Sequence, residues 1–132
     1  MSRKNPQYPA YLEPGNKWRG TRVRDGMQAM SARDPLPRLM TQLIERAGGT
    51  VLVERAASRP WASALFQGRR HIIALTLAGP DAAERSAAFA EGIEEAEWTL
   101  SGHFVADIRI DSRHPAPDGE WMELSALTIE DW

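Results

Sequence analysis

The sequence predicts a two-layer α+β sandwich, with elements in the order helix–strand–strand–helix–strand–strand. Three observations carry that prediction. Residues 36–47 hold one apolar stripe (Leu36, Leu39, Met40, Leu43, Ile44, Ala47) at helical spacing. Residues 69–113 read as strand, helix, strand, with a nearly all-apolar first run. Residues 103–111 alternate, with Phe104, Ala106, Ile108 and Ile110 on one side and His103, Asp107, Arg109 and Asp111 on the other.

Each element carries its own signals. Asp34 is a good N-cap, Pro35 suits the first helical position, and Gly48 with Gly49 ends the helix. Residues 50–56 (TVLVERA) predict a strand ending near Pro60, and residues 61–66 resume an extended pattern, as after a bulge. Gln67 and Gly68 fit a tight hairpin turn into the strand 69–78. Asp81 with Glu84 three residues on resembles a capping box, and Ala82, Ser86, Phe89, Ala90 and Ile93 form the second helix's buried stripe. After the alternating strand, residues 112–119 (SRHPAPDG) predict a proline-rich loop, and residues 120–130 the closing strand.

Short connections and the right-handed crossover rule favour four mainly antiparallel strands with both helices on one face. That layout resembles a ferredoxin-like sandwich whose first strand has moved to the C-terminus. A duplicated strand–helix–strand–strand layout, with a short strand within residues 19–24, is the alternative. No sequence signature of a specific family accompanies either.

At 132 residues the chain fits one domain, and a 42% hydrophobic content supports a packed core. Residues 1–34 read as a basic arm interrupted by Pro6, Pro9, Pro14, Gly15, Gly20 and Gly26, preceding a domain at 35–132. Tyr8, Tyr11 and Trp18 are unusual for a disordered tail and leave docking open beside mobility. Over residues 1–40, eight Lys/Arg face three acids; over the remaining 92 residues, eight face 15. A basic arm thus precedes an acidic body. No cysteine is present, which excludes disulfides and thiolate metal sites. No apolar run reaches a membrane span and no signal-peptide core is seen, so the expected location is the cytoplasm. Fourteen Arg against two Lys, with 19 Ala, suggest a GC-rich bacterial coding sequence.

Functional expectations follow from the helix-free side of the sheet. That side is predicted to carry His103, Val105, Asp107, Arg109, Trp121, Glu123, Ser125, Leu127 and Ile129. A face this rich in apolar groups calls for a cover. The first expectation is a non-enzymatic binding or interaction module that pairs sheet-to-sheet as a homodimer, with Val105, Trp121, Glu123, Ser125, Leu127 and Ile129 as its interface or ligand face. A protein or small-molecule partner is the variant of that idea. The second is nucleic-acid binding through Lys17, Trp18, Arg19, Arg22 and Arg24, whose charge and stacking surface suit phosphates and bases; sheet acids Asp107, Asp111 and Glu123 oppose it. The third is a small enzyme with His103, Asp107 and Arg109 in one cleft, although four residues along a strand span about 13 Å. His71 opens a strand and His114 falls in the loop. Three scattered histidines make no zinc site, and Glu91, Glu94, Glu95 and Glu97 along a helix make no calcium loop. No cofactor fingerprint or nucleophile elbow is present, so no cofactor is expected. Trp61, Trp98 and Trp121 are read as packing residues.

Overall fold

The computed structural model describes residues 34–131. In chain order these form α1 (Leu36–Ala47), β1 (Thr50–Ala62), β2 (Gln67–Ala78), α2 (Ala82–Ala90), a 3₁₀ turn (Ile93–Glu95), β3 (His103–Ala116) and β4 (Gly119–Glu130). All neighbouring strands are antiparallel, in the order β1-β2-β4-β3. The class is therefore an α+β sandwich of two helices on a four-stranded sheet. The basic arm, with Lys17, Trp18, Arg19, Arg22 and Arg24, lies outside the described residues, as does Trp132.

The helices bury one face. Leu36, Leu39, Met40 and Leu43 of α1 and Ala82 and Phe89 of α2 close on Ile73, Leu75 and Leu77 of β2 and on Met122, Leu124 and Ala126 of β4. Ala56 and Ile108 extend this core onto the two edge strands. The central strands are apolar because they are covered, and their burial supplies most of the fold's stabilisation.

Punctuation at the helix ends follows the sequence in part. The Asp34 carboxylate accepts the Leu36 N–H at 3.0 Å, as its N-cap reading requires. Asp81 makes no such bond; its carboxylate is taken by Arg85 at 3.3 Å, one turn on, so the capping box does not form. Arg85 does more than that. Its guanidinium donates to the carbonyls of Ala47 (3.2 Å), Ala78 (2.6 Å), Thr50 (2.9 Å) and Gly48, tying the end of α1 to two strands. The planar fork satisfies orphan helix carbonyls that no local residue reaches. The second helix also stops early. Gly92 turns left-handed (φ +70°), and Ile93 reaches the core from the 3₁₀ turn.

Three strand limits differ from expectation. β1 continues unbroken through Pro60, which pairs opposite Arg69; an edge strand tolerates a residue without an N–H. The hairpin turn lies at residues 63–66, closed by Ser63 N–H to Phe66 C=O at 2.8 Å, so Gln67 and Gly68 belong to β2 rather than to the turn. Gly68 is needed there for space, since a Cβ would stand 1.9 Å from the Thr128 carbonyl oxygen. The predicted loop 112–119 shrinks to a turn at Pro117 and Asp118, which places His114 within β3.

Bulges matter more than limits. Register shifts fall between Val53 and Arg55, between Val105 and Asp107, and between Ile110 and Ser112. A bulge adds one residue and reverses the faces of everything beyond it.

Candidate functional site

The helix-free face can be laid out as five rows across β1, β2, β4 and β3, following the register. They are Leu52–Thr76–Trp121–His114, Arg55–Ala74–Glu123–Ser112, Ala57–Ile72–Ser125–Arg109, Arg59–Arg70–Leu127–Asp107 and Trp61–Gly68–Ile129–Phe104. Side-chain contacts agree with this layout. Arg55 and Glu123 form an ion pair across β2, Thr76 Oγ1 donates to Glu54 at 2.8 Å, and the His114 ring stacks on Trp121 with centroids 4.6 Å apart and planes at 19°.

The bulge at Ala106 corrects the expected assignment of β3. Phe104 pairs with Ile129 on the helix-free face, where it is 42% exposed. Val105 pairs with Thr128 and packs against the helix-side core, so it leaves the predicted interface set. His103 pairs with Glu130 on the helix side, while Asp107 and Arg109 stay on the open side. The expected trio of His103, Asp107 and Arg109 therefore does not share a cleft; Arg109 instead meets Asp111 at 3.3 Å. Trp121, Glu123, Ser125, Leu127 and Ile129 do line the open face together, in one column along β4. Ser125, Leu127 and Ile129 are buried within it.

Aromatic groups stand at the two ends of this face. Trp61 and Phe104 flank one end, Leu52, Trp121 and His114 the other, while Ala57, Ala74 and Ser125 lie between. Charge divides across it. The β1/β2 half carries Arg55, Arg59 and Arg70 with Glu54; the β4/β3 half carries Glu123, Asp107 and Asp111 with Arg109. At the Trp121 end a cleft of about 340 Å³ opens, lined by Leu52, Glu54, Thr76, Trp121 and the 114–118 turn.

A second polar cluster lies on the helix side, beyond the apolar core. His71 is fully buried. Thr128 Oγ1 donates to the Arg69 carbonyl (3.5 Å), which leaves its lone pair for His71 Nε2–H (2.9 Å). The Ser58 hydroxyl then donates to His71 Nδ1 at 2.6 Å, a tautomer assigned from this chain of partners. Burial, helped by the charges of Arg69, His103 and Arg70, lowers the His71 pKa from the ordinary 6.5 to about 4. Ser58 beside His71 resembles a nucleophile and its base. Yet among the described residues no carboxylate supports the ring, and a base of pKa about 4 accepts a proton poorly at neutral pH. The cluster is a satisfied polar lock.

No family model, curated protein or solved structure matches this chain. Among the described residues no group of three or more His, Asp or Glu is placed to hold a metal ion, and no helix is long and apolar enough to cross a membrane.

Sequence reasoning found the β4 column because its alternation is uninterrupted. It missed Glu54, Arg55, Thr76 and His114. The first two depend on a bulge, Thr76 sits in an apolar run with no alternation to orient it, and His114 lay in an expected loop.

Proposed function

We propose that this chain is a non-enzymatic interaction module that pairs with a second copy through its helix-free sheet face. The observation that supports it is the split of charge across that face. Two sheets stacked face to face about a two-fold axis parallel to their strands bring β1 of each copy over β3 of the other. Arg59 then faces Asp107 of the second copy, and Arg70 faces the Leu127 neighbourhood. A two-fold axis perpendicular to the strands would instead set Arg55 against Arg59 of the other copy, a like-charge contact. The favoured arrangement is also the aligned packing common to stacked sheets. Ile72, Leu127, Ile129, Trp61 and Phe104 supply apolar contact.

By ordinary strand spacing and rise the face measures roughly 20 by 30 Å. Burying about 600 Å² per copy lies at the lower edge of specific interfaces, which suits a reversible dimer. The strand order β1-β2-β4-β3 supports a finer description of the fold as a ferredoxin-like sandwich with its first strand at the C-terminus. A fold of this kind hosts many functions, so the functional reading rests on the face alone.

Sedimentation equilibrium tests the pairing. Wild type is expected to dimerise, and Arg59→Asp and Asp107→Arg each to weaken association about tenfold through like-charge contacts. Combining the two substitutions restores association to within about threefold. A monomer at all accessible concentrations, or a double variant no better than either single one, overturns the proposal.

A further inference from the structure

We infer that the cleft at the Trp121 end binds a small organic cation with a flat apolar body, such as an aromatic amine. The inference needs only one copy of the chain, and pairing across the same face would compete with it. Three features of the cleft point the same way. Its walls are apolar and flat: Leu52, Trp121 and the two prolines of the turn, Pro115 and Pro117. His114 stacks on the indole from the β3 side, leaving the β2 side of the ring toward Thr76 and Leu52. An aromatic surface of this kind attracts a cation to its face as well as an apolar ring.

Charge is the second feature. Glu54 and Asp118 both line the cleft, and neither forms an ion pair among the described residues, although Glu123, Asp81 and Asp111 each have an arginine. Among the described residues no lysine or arginine lines the cleft. An anion entering it would meet two carboxylates.

The third feature is how Glu54 is held. It is the extra residue of the β1 bulge, and the buried Thr76 hydroxyl donates to its carboxylate at 2.8 Å. That bond fixes one carboxylate at the rim while leaving its other oxygen for a ligand N–H. Asp118 occupies the β3–β4 turn, whose backbone carbonyl accepts the Gly79 N–H (3.4 Å) and so joins the turn to the end of β2. Two carboxylates on separate, anchored elements thus flank an aromatic wall. A volume near 340 Å³ lies at the small end of ligand sites and suits a single-ring molecule.

Phenethylamine is the probe, and phenylacetate, with the same ring and opposite charge, is its control. Binding is followed by NMR at the Trp121 indole N–H, identified by its loss in Trp121→Phe. Measurements are made on wild type and on Ile72→Glu, which is built to remove pairing while leaving the cleft residues in place. Phenethylamine is expected to produce a saturable shift in Ile72→Glu, and in wild type at concentrations below those at which it pairs, and phenylacetate none. Glu54→Gln combined with Asp118→Asn, both surface changes that keep shape, weakens phenethylamine binding about tenfold. The inference is overturned by an absent or non-saturable shift, by phenylacetate binding as well as the amine, or by unchanged affinity in the double variant. Binding to Ile72→Glu alone would mean that pairing covers the cleft, supporting the site and the pairing together. Failure of the amine in Ile72→Glu, with wild type still dimerising, removes only the cleft.

Discussion

The two faces of this sheet share a backbone but not a means of burial. On the helix side, Leu75, Met122 and Leu124 are wholly enclosed by α1 and α2. On the other, the small residues Ala74 and Ser125 are buried without belonging to the helix-side core, while Leu52 remains 47% exposed. One face is buried under two helices; across the other, Arg55 reaches over β2 to Glu123. The comparison teaches that a side chain can be inaccessible on an open face without contributing what a core residue does. Four experiments sharpen or break it.

The largest contrast is expected between Leu124→Ala and Ile72→Ala. The first empties a closed site and costs about 2–5 kcal/mol. The second, measured by urea unfolding at concentrations too low for pairing, costs about 1 kcal/mol or less, since solvent already reaches Ile72. Equal losses would mean that the open face is a second core.

Next in size is the acid response of the helix-side lock. His71 carries a folded pKa of about 4 against 6.5 unfolded, so the unfolded chain binds the extra proton between those values. The histidine's effect on stability is absent above pH 6.5. It grows as pH falls and levels off below pH 4 at a loss of about 3 kcal/mol. His71→Gln should flatten this slope in unfolding experiments run across that window; an unchanged slope would assign acid sensitivity to other groups.

Arg85→Lys is expected to cost about 2 kcal/mol, because an ammonium cannot reach the carbonyls of Ala47, Thr50 and Ala78 together. Thermal unfolding measures it, and a loss under about 0.5 kcal/mol would show that water replaces the guanidinium at no cost.

The smallest effect belongs to the open face. Glu123→Gln removes the ion pair with Arg55, whose members keep 28% and 23% of their side-chain surface, and should change monomer stability by less than about 1 kcal/mol. A loss as large as that of Leu124→Ala would contradict the view that this face is lightly held.

What local chemistry specified was legible from the chain. Asp34 with Pro35, the stripe from Leu36 to Ala47 and the glycines after it predict α1, because capping and helical spacing act within a few residues. The uninterrupted alternation from Trp121 to Ile129 likewise predicts which β4 residues share the open face. Residue type did not reveal the bulges at Glu54 and Ala106, since each arises from two strands settling their pairing against a packed layer of helices. A one-residue insertion in the ladder sent Val105 and His103 inward and Phe104 outward. The same holds for Arg85: its sequence neighbours suggest a solvent-facing helix position, and only the meeting of α1, β1 and β2 supplies the carbonyls that hold it. Short-range preferences determined the elements; long-range packing determined which side chains reach the helix-free face.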